Sequence, residues 1–227
     1  MRIGVLGTGN MAQALAGHWV RAGHEVLVGG RDEAGARALA GRLGGDTRHG
    51  SLSEAAAFGE VVLVALPYGA GTRVVTGLRD RLDGRVLIDC CNPVGPGFGL
   101  LTDGGPSAAL RLAEAAPGAR VVKAFNLCHE GVWRMNPPVF DGCPLAVPLC
   151  GDEASALALV EELVRAAGCV PVAGGGLERA ALLEATAALF IGLWVGEGAD
   201  AQAIAPPLAF ATGAGGDGAD GADGADG

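Results

Sequence analysis

The chain has 227 residues, of which 50% are hydrophobic and 18% are charged, and its formal net charge is −9. This length suffices for one domain with a substantial core and a small appendage, but not for two full domains. The acidic balance argues against nucleic acid or an anionic membrane as a partner, because neutralising phosphates requires a basic face.

The N-terminal segment has the pattern of a strand, a glycine-rich turn and a helix. A short apolar run ends at Leu6, and Gly7, Gly9 and Ala12 then form the pattern G-x-G-x-x-A at the start of an apolar helical stretch. Gly7 permits the tight turn, Gly9 lets the backbone approach a pyrophosphate, and Ala12 keeps helix and strand close. The amides at such a helix start face phosphates, so the pattern indicates a dinucleotide site, with an ordinary glycine turn as the alternative.

The end of the second predicted strand indicates which dinucleotide is bound. An NAD site places a carboxylate there, on the ribose hydroxyls, about twenty residues past the glycines. This chain has Gly30 at that place and Arg31 directly after it. A guanidinium offers paired donors to a 2′-phosphate, which favours NADP. Two alternatives stay open, since Asp32 could bind the ribose and Arg31 could be a surface residue at a helix start.

Strand-length apolar runs alternate with helical stretches along the chain. The predicted strands are residues 3–6, 26–28, 61–66, 86–88, 121–124, 145–149 and 170–172. The predicted helices are residues 11–22, 33–43, 52–58, 70–82, 108–115 and 153–167. Near-continuous apolar strands are typical of a parallel sheet covered on both faces. The alternation predicts an α/β fold, a doubly wound Rossmann-type sheet over residues 1–175.

Residues 176–211 form a predicted C-terminal helical appendage that caps the site or pairs subunits in a homodimer. Its amphipathic helix runs from residue 177 to about 195, with apolar positions at Leu182, Leu183, Leu189, Phe190, Leu193 and Trp194. Glu184 and two glycines interrupt it, so no run of membrane-spanning length is expected. The Gly-Ala-Asp repeats of residues 212–227 are low-complexity and are predicted to be disordered.

Ligands of such sheets lie beyond the carboxyl ends of the strands, so the residues that follow each strand are the candidate site. These residues are 7–11, Gly30, Arg31, Pro67, Tyr68, Cys91, Asn92, Pro93, Phe125 and Asn126.

Five motifs at these strand ends carry a resemblance to a known family. The motifs are Gly7-Thr-Gly-Asn-Met-Ala, Val28-Gly-Gly-Arg31, Ala65-Leu-Pro67-Tyr, Asp89-Cys-Cys-Asn92-Pro93 and Val122-Lys-Ala-Phe-Asn126. In this order they resemble the NADP oxidoreductases that depend on the deazaflavin coenzyme F-420, over residues 1–195. The wider group shares its N-terminal domain with pyrroline-5-carboxylate reductases and resembles the cytosolic domain of six-transmembrane metalloreductases.

The resemblance implies hydride transfer between NADP(H) and a flat redox ring, a deazaflavin or a flavin, or a small organic substrate. Such a transfer needs stacking and exclusion of water more than a dedicated acid or base. Carried over by motif, the pyrophosphate is held by Thr8, Gly9, Asn10 and Met11, the 2′-phosphate by Gly30 and Arg31, the cofactor flank by Pro67 and Tyr68, and the nicotinamide border by Asn92, Pro93 and Asn126.

Two positions depart from the family pattern. Relatives tend to have a serine before the arginine and a second basic residue a few positions later, whereas this chain has Gly30 and, further on, Gly35. This departure implies a reduced affinity for NADP. Relatives that use the deazaflavin favour a histidine where Phe125 and Asn126 fall, which leaves the partner ring open.

Several single residues have two interpretations. His129 and Asn126 are the candidate catalytic residues, with His129 either a proton donor or an ordinary loop histidine. Lys123 either contacts substrate or pairs with a carboxylate. Trp133 and Phe140 form either an apolar wall over a ring-shaped substrate or packing under their loop.

The remaining expectations concern two other histidines, the cysteines and the class of function. His18 and His24 are expected to have ordinary surface roles, and the six cysteines are expected to be reduced thiols in the cytoplasm. Two other functions compete with the oxidoreductase that reduces a flat ring. One is an imine or carbonyl reductase, for which the C-terminal part is short, and the other is a module that senses NADP without turnover.

Overall fold

A mostly parallel sheet of eight strands forms the centre of the molecule. The structure, a computed structural model, describes residues 1–200 and Ile204. The strands are β1 (Arg2–Leu6), β2 (Glu25–Gly30), β3 (Arg48–Ser51), β4 (Val61–Val64), β5 (Val86–Asp89), β6 (Arg120–Lys123), β7 (Val139–Phe140), β8 (Cys143–Pro144), β9 (Ala146–Cys150) and β10 (Val170–Gly175). The helices are α1 (Asn10–Arg21), α2 (Glu33–Leu43), α3 (Leu52–Phe58), α4 (Ala70–Leu82), α5 (Ala108–Ala115), α6 (Glu130–Trp133), α7 (Ala154–Ala166) and α8 (Ala180–Ile191).

The order of the strands confirms the predicted doubly wound fold. The sheet runs β10-β9-β6-β5-β4-β1-β2-β3, and β1 pairs in parallel with both β2 and β4. The chain therefore moves outward from β1 first in one direction and then in the other. The loops after β1 and β4 meet at this switch, which is where sheets of this kind bind their ligands.

Two apolar clusters cover the two faces of the sheet. One contains Ile3, Val28 and Leu39 together with residues of α1 and α7, and the other contains Leu6 and Val62 together with residues of α3 to α5. The central strands β4 and β5 are buried along their whole length. Burial on both faces explains their continuous hydrophobic sequence.

Four elements were not predicted from the sequence. They are the edge strand β3, the two-stranded sheet of β7 and β8, and the one-turn helix α6. The sheet is also not wholly parallel, because β6 meets β9 in antiparallel orientation through the pair Lys123 and Cys150.

The predicted C-terminal helix is present, but its buried face consists of alanines and one glutamate, with Leu183 the large apolar residue of α8 that packs against the core. A 3-10 turn, Leu177–Arg179, leads into α8, and a π-helical turn, Gly192–Gly196, follows it. The buried residues of α8 are Ala180, Glu184, Ala187 and Ala188, whereas Leu182 and Leu189 are each 55% exposed. The predicted disorder of residues 212–227 lies outside the described residues, and the predicted domain boundaries stay predictions.

The expectation that no apolar run reaches membrane-spanning length is wrong by length and composition. Leu177–Gly196 is a helical segment of 20 residues, and its most apolar 18-residue window has a mean hydropathy of 1.4. Glu184 does not interrupt it, because its carboxylate is buried and paired within the protein. Of the most apolar 18-residue window of this helix, 22% is buried.

All six cysteines are free thiols. Cys90, Cys150 and Cys169 are buried, Cys91 and Cys128 are half-buried, and Cys143 is exposed on β8. Burial raises the pKa of Cys91 to about 12 and those of Cys128 and Cys169 to about 11. It also raises the pKa of Cys90 and Cys150.

Candidate functional site

The glycine turn after β1 is held against the end of β4. Gly7 is buried with φ +125°, a region that suits glycine, and its N–H donates to the carbonyl of Gly29 at 2.9 Å. A Cβ at Gly7 would lie 2.3 Å from the carbonyl oxygen of Ala65. The two loops at the switch point therefore approach each other so closely that no other residue fits here.

The N-terminus of α1 is left open. Gly9 is its N-cap residue and supplies no side-chain hydrogen bond, while side chains of Asp32, Ser51 and Ser107 cap α2, α3 and α5. A Cβ at Gly9 would meet no heavy atom within 4 Å among the described residues. Amides without an internal partner and a positive helix end together suit an anion.

A side chain from after β6 reaches this turn. Asn10 Nδ2 donates to Glu130 Oε1 at 3.0 Å, and Glu130 Oε2 lies 2.8 Å from Nε2 of His129. His129 is the N-cap of α6, where its Nδ1 accepts the N–H of Gly131 at 3.1 Å. The His129 side chain is exposed and stands beside the phosphate-binding turn through Glu130. No sequence pattern pointed to Glu130.

The end of β2 opens onto a groove of about 360 Å³ that Gly30 and Arg31 line. A Cβ at Gly30 would lie 2.9 Å from the carbonyl oxygen of Asp32 and 3.1 Å from Thr8 Cγ2, so a serine does not fit here without movement. Asp32, the alternative ribose ligand, accepts the N–H groups of Ala34 and Gly35 as the cap of α2. Arg31 is exposed.

The loop after β4 packs next to the loop after β5. Tyr68 Oη donates to the carbonyl of Leu101 at 3.4 Å, and the carbonyl of Pro67 accepts the first amides of α4. The carbonyl of Pro93 accepts the N–H of Leu101 at 2.7 Å. Tyr68 and Pro93, which sequence reasoning assigned to one site, are thus joined through Leu101.

Asn92 and Asn126 hold each other at the ends of β5 and β6. Asn92 Nδ2 donates to the carbonyl of Asn126 at 2.6 Å, and Asn126 Nδ2 donates to Asn92 Oδ1 at 2.9 Å and to the carbonyl of Leu183 at 3.1 Å. The carbonyl partners fix both amide orientations. Oδ1 of Asn126 is buried and has no hydrogen-bond donor among the described residues, so the pair retains one free acceptor.

Lys123 lies beneath this pair in a buried ionic network. Its Nζ is 2.9 Å from Asp89 Oδ2 and 2.9 Å from Glu184 Oε1, and it also donates to the carbonyl of Cys91. Glu184 in turn accepts the N–H groups of Ala108 and Ala109 at the start of α5. Burial alone would lower the pKa of Lys123, but the two carboxylates outweigh it and raise it. The predicted pairing with a carboxylate is confirmed, and Lys123 is closed off from substrate.

Phe125 lies between Lys123 and Asn126, just after the end of β6. It is a non-glycine residue at φ +60°, a conformation that costs energy and is found at functional sites. Its ring lies edge-on to Trp19 and Trp133, at 6.2 and 5.4 Å between centroids. Trp133 is therefore core packing and not a wall over substrate, while Phe140 is exposed.

His18 is part of this packing, which corrects the expected surface role. It is buried, donates from Nε2 to the carbonyl of Trp133 at 2.7 Å and accepts from Arg21 at Nδ1. Burial lowers its pKa most strongly, and the Arg21 charge adds to that effect against the bond to Trp133. His24 is half-buried and accepts from the N-terminal amine at 3.2 Å.

A sheet of order 3-2-1-4-5-6 with an uncapped glycine turn at its switch point defines the class of Rossmann-type dinucleotide-binding proteins. Residues 2–93 match the family model described as NADP oxidoreductase, coenzyme F420-dependent. The F420-dependent NADP reductase of Methanothermobacter thermautotrophicus is 32% identical over 217 residues, covering 85% of this chain and 89% of that protein. The chain belongs to this family of F420-dependent NADP oxidoreductases.

Other relatives share parts of the molecule. The metalloreductase STEAP3 of Rattus norvegicus is 32% identical over 193 residues, which cover 85% of this chain but 38% of that protein. A solved structure of a candidate F420-dependent NADP reductase from Arthrobacter sp. FB24 has a TM-score of 0.77 at 25% identity, covering 87% of this chain and 95% of that one. The imine reductase of Streptomyces aurantiacus, at 20% identity and a TM-score of 0.66 over 86% of this chain and 62% of that one, shows likeness of fold alone.

Proposed function

We propose that the protein is an NADP(H)-dependent oxidoreductase that transfers a hydride between the nicotinamide and a flat redox partner of the deazaflavin type. The observation that carries the proposal is the uncapped start of α1, with Gly9 bare of neighbours, at the switch point of the sheet. A dinucleotide pyrophosphate fits there, because it supplies the acceptors that these amides lack. The match to F420-dependent NADP reductases over 89% of their length supports the choice of partner.

The residues proposed to contact the different parts of the cofactor follow the carboxyl ends of the strands. The proposed contacts are Gly7, Thr8, Gly9, Asn10 and Met11 at the pyrophosphate, Gly30 and Arg31 at the 2′-phosphate, Pro67 and Tyr68 along the flank, and Asn92, Pro93 and Asn126 at the nicotinamide. The free acceptor on Asn126 has the chemistry to accept a carboxamide N–H.

The residues around the proposed nicotinamide position orient and do not react. When bound, NADPH would supply the hydride that reduces the second ring. Asn92 and Asn126 are held by each other and by the Leu183 carbonyl, so their polar groups are set before a ligand arrives. Such preorganisation is what transfer between two stacked rings requires.

His129 is the proposed proton donor for substrates that need a proton as well as a hydride. Its Nδ1 accepts the Gly131 amide, so the ring proton on Nε2 is directed at Glu130, and His129 could give a proton to a substrate only from its imidazolium form. A deazaflavin partner places less demand on this residue than an imine or a carbonyl does.

We also propose that the protein is cytoplasmic and acts on a small-molecule substrate, without a nucleic acid or membrane partner. We further propose that it forms a homodimer through the C-terminal helix. Leu182 and Leu189 support the last point, because each exposes more than half of its surface on one helix. Large exposed apolar patches mark contact surfaces.

Steady-state assays with NADPH test the proposed function. The purified chain is mixed with NADPH and, in parallel, oxidised coenzyme F420, FMN and a cyclic imine, and both cofactor oxidation and acceptor reduction are followed. We expect turnover with the deazaflavin. Reduction of the imine alone would favour an imine reductase, and a rise in melting temperature with NADPH but no turnover with any acceptor would favour a sensing module.

A further inference from the structure

The groove beyond β2 contains, besides Arg31, a second side chain that can donate a hydrogen bond to a phosphate. His49 lies on β3, where it pairs in register with Val28 of β2, and it lines the same groove as Arg31. Side chains of paired residues in a parallel sheet point to the same face, so His49 is on the face that α2 covers. Both Arg31 and His49 are exposed.

The backbone at this end of the sheet offers little to an anion. The carboxylate of Asp32 already takes the N–H groups of Ala34 and Gly35 at 3.2 and 3.0 Å, so the start of α2 is capped. The contacts of a Cβ at Gly30 leave no room for a donor side chain there. Recognition of a phosphate in this groove therefore depends on charged side chains.

The two acidic residues of the groove are already bonded to neighbours. Glu33 Oε1 is 2.6 Å from the guanidinium of Arg37. Glu54 Oε2 accepts from the backbone N–H of Ser51 at 2.7 Å and from its hydroxyl at 2.8 Å, in a capping box at the start of α3.

These bonds leave Arg31 and His49 as the nitrogen donors that line the groove without a hydrogen-bond partner among the described residues. Arg48, the neighbouring cation on β3, is 5.1 Å from the ring centroid of Phe58. The bond from the Ser51 N–H lowers the pKa of Glu54, with smaller effects from Arg48 and His49. Glu54 thus carries its negative charge in the same groove as His49.

We propose that His49 is a specificity-determining residue that binds the 2′-phosphate of NADP(H) together with Arg31. This inference rests on the proposed function, and it deepens it by assigning the choice between NADP(H) and NAD(H) to a pair of side chains from β3 and the β2–α2 loop. A phosphate dianion accepts hydrogen bonds from several donors, and the groove provides the imidazole of His49 in addition to the guanidinium of Arg31.

Dissociation constants for NADPH and NADH, measured by calorimetry, test the assignment. We expect His49→Gln to weaken NADPH at least about ten-fold and to leave NADH unchanged, because the amide keeps a donor but cannot take up a proton, and the charge-assisted bond of an imidazolium to a phosphate is lost only with the phosphorylated cofactor. His49→Lys restores a cation and should retain the preference for NADPH. His24→Gln, a half-buried histidine bonded to the N-terminal amine, is the matched control and should change neither constant.

The outcomes separate this inference from the proposed function. If wild type prefers NADPH and His49→Gln keeps the same NADPH-to-NADH ratio, the role of His49 is wrong and the proposed function stands. If Arg31→Gln and His49→Gln have strictly additive effects on NADPH binding, the shared phosphate is wrong. If wild type binds neither nucleotide, both proposals fail. Melting temperatures of all variants show whether each one is folded.

Discussion

The N-cap glycine of α1, Gly9, makes no side-chain hydrogen bond to the helix and leaves the first backbone amides open. The neighbouring helices α2, α3 and α5 start with Asp32, Ser51 and Ser107, each of which binds a backbone amide, while Gly9 binds none. Its backbone is extended, at φ −82° and ψ −174°, which an aspartate adopts readily. Gly69 and Glu153 leave α4 and α7 without a side-chain cap as well, so the open end of α1 is distinguished by its place at the switch point of the sheet.

Replacing this glycine should separate stability from binding. We expect Gly9→Asp to fold and to raise the free energy of unfolding by about 0.3 kcal/mol, because a carboxylate caps the helix only slightly better than glycine does. The same carboxylate occupies the amides and repels the pyrophosphate, so NADPH affinity should fall more than about ten-fold. Urea unfolding and calorimetry measure the two effects. Gly9→Ala is the control, and an unchanged NADPH affinity in Gly9→Asp would contradict the site.

Buried His18 should make stability depend on pH. Burial lowers its pKa from 6.5, with the Arg21 charge in the same direction and the Trp133 bond against it. The unfolded chain therefore binds a proton at higher pH than the folded chain. The stability that neutral His18 contributes is complete above pH 6.5 and is lost as the pH falls through its folded pKa.

Urea unfolding on either side of that pH tests this argument. We expect wild type to lose stability between about pH 7.5 and about pH 5.5, and His18→Gln to lose less over the same interval. His24 has a pKa lowered by burial and by the N-terminal charge, so part of the dependence should remain in the variant. Equal losses in wild type and variant would show that His18 is not responsible.

At the scale of elements, α8 contacts the rest of the protein through a buried carboxylate, small apolar residues and Leu183, while Leu182 and Leu189 are exposed. Its buried face consists of three alanines and Glu184, whose carboxylate meets Lys123 from β6. The neighbouring carbonyl of Leu183 holds Asn126. One turn of this helix therefore positions both the network under the site and one amide at its border.

Breaking the buried ion pairs of Lys123 should lower the free energy of unfolding far more than breaking an exposed ion pair. We expect Lys123→Met to lower the free energy of unfolding by about 3–5 kcal/mol, because two buried carboxylates lose their counter-charge. Adding Glu184→Gln should cost less than the sum of the single changes. Arg165→Met is the control, since it breaks the exposed pair with Glu161 on α7 and should cost about 1 kcal/mol or less. Similar losses for Lys123→Met and Arg165→Met, measured by urea unfolding, would contradict the buried network.

The sequence predicted the elements that have a clear hydrophobic pattern, which is a continuous apolar run in the central strands and a repeat of three or four residues in the helices. The strands β4, β5 and β6 and the helices α2, α4 and α5 lie where their hydrophobic periodicity places them. The edge strand β3 was missed, because Arg48–Ser51 is polar and largely exposed, and such a strand is specified by its neighbour β2 and not by its own composition.

The same distinction applies to the candidate site. The glycine turn and the strand ends were predictable, since their roles depend on local backbone geometry. The contact of Asn10 with Glu130 and the place of His18 under Trp133 were not, because they join residues 120 and 115 positions apart. Periodicity carries no information on such pairs, and the buried His18 was assigned to the surface for this reason.

At the scale of the whole molecule, the helix Leu177–Gly196 predicts self-association. Leu182 and Leu189 are each 55% exposed, and Val195 is 72% exposed. We expect the double variant Leu182→Asp and Leu189→Asp to convert a dimer into a monomer in sedimentation velocity experiments, because charges on both helices of a pair would repel and lose apolar contact. Leu101→Asp, on a residue of 42% exposure in another loop, should remain dimeric. A wild-type chain that sediments as a monomer would contradict the proposed dimer.

The distribution of the thiols makes one position of this chain chemically addressable. Cys143 is exposed on the short hairpin of β7 and β8, while the other five thiols are wholly or partly buried and each has a raised pKa. Because maleimides react with exposed thiolates, the native protein should couple to a fluorophore at Cys143 first and take up further label only after unfolding. The hairpin can then carry an optical reporter without any engineered cysteine, and the number of labels per chain becomes a direct count of how much of the molecule has opened.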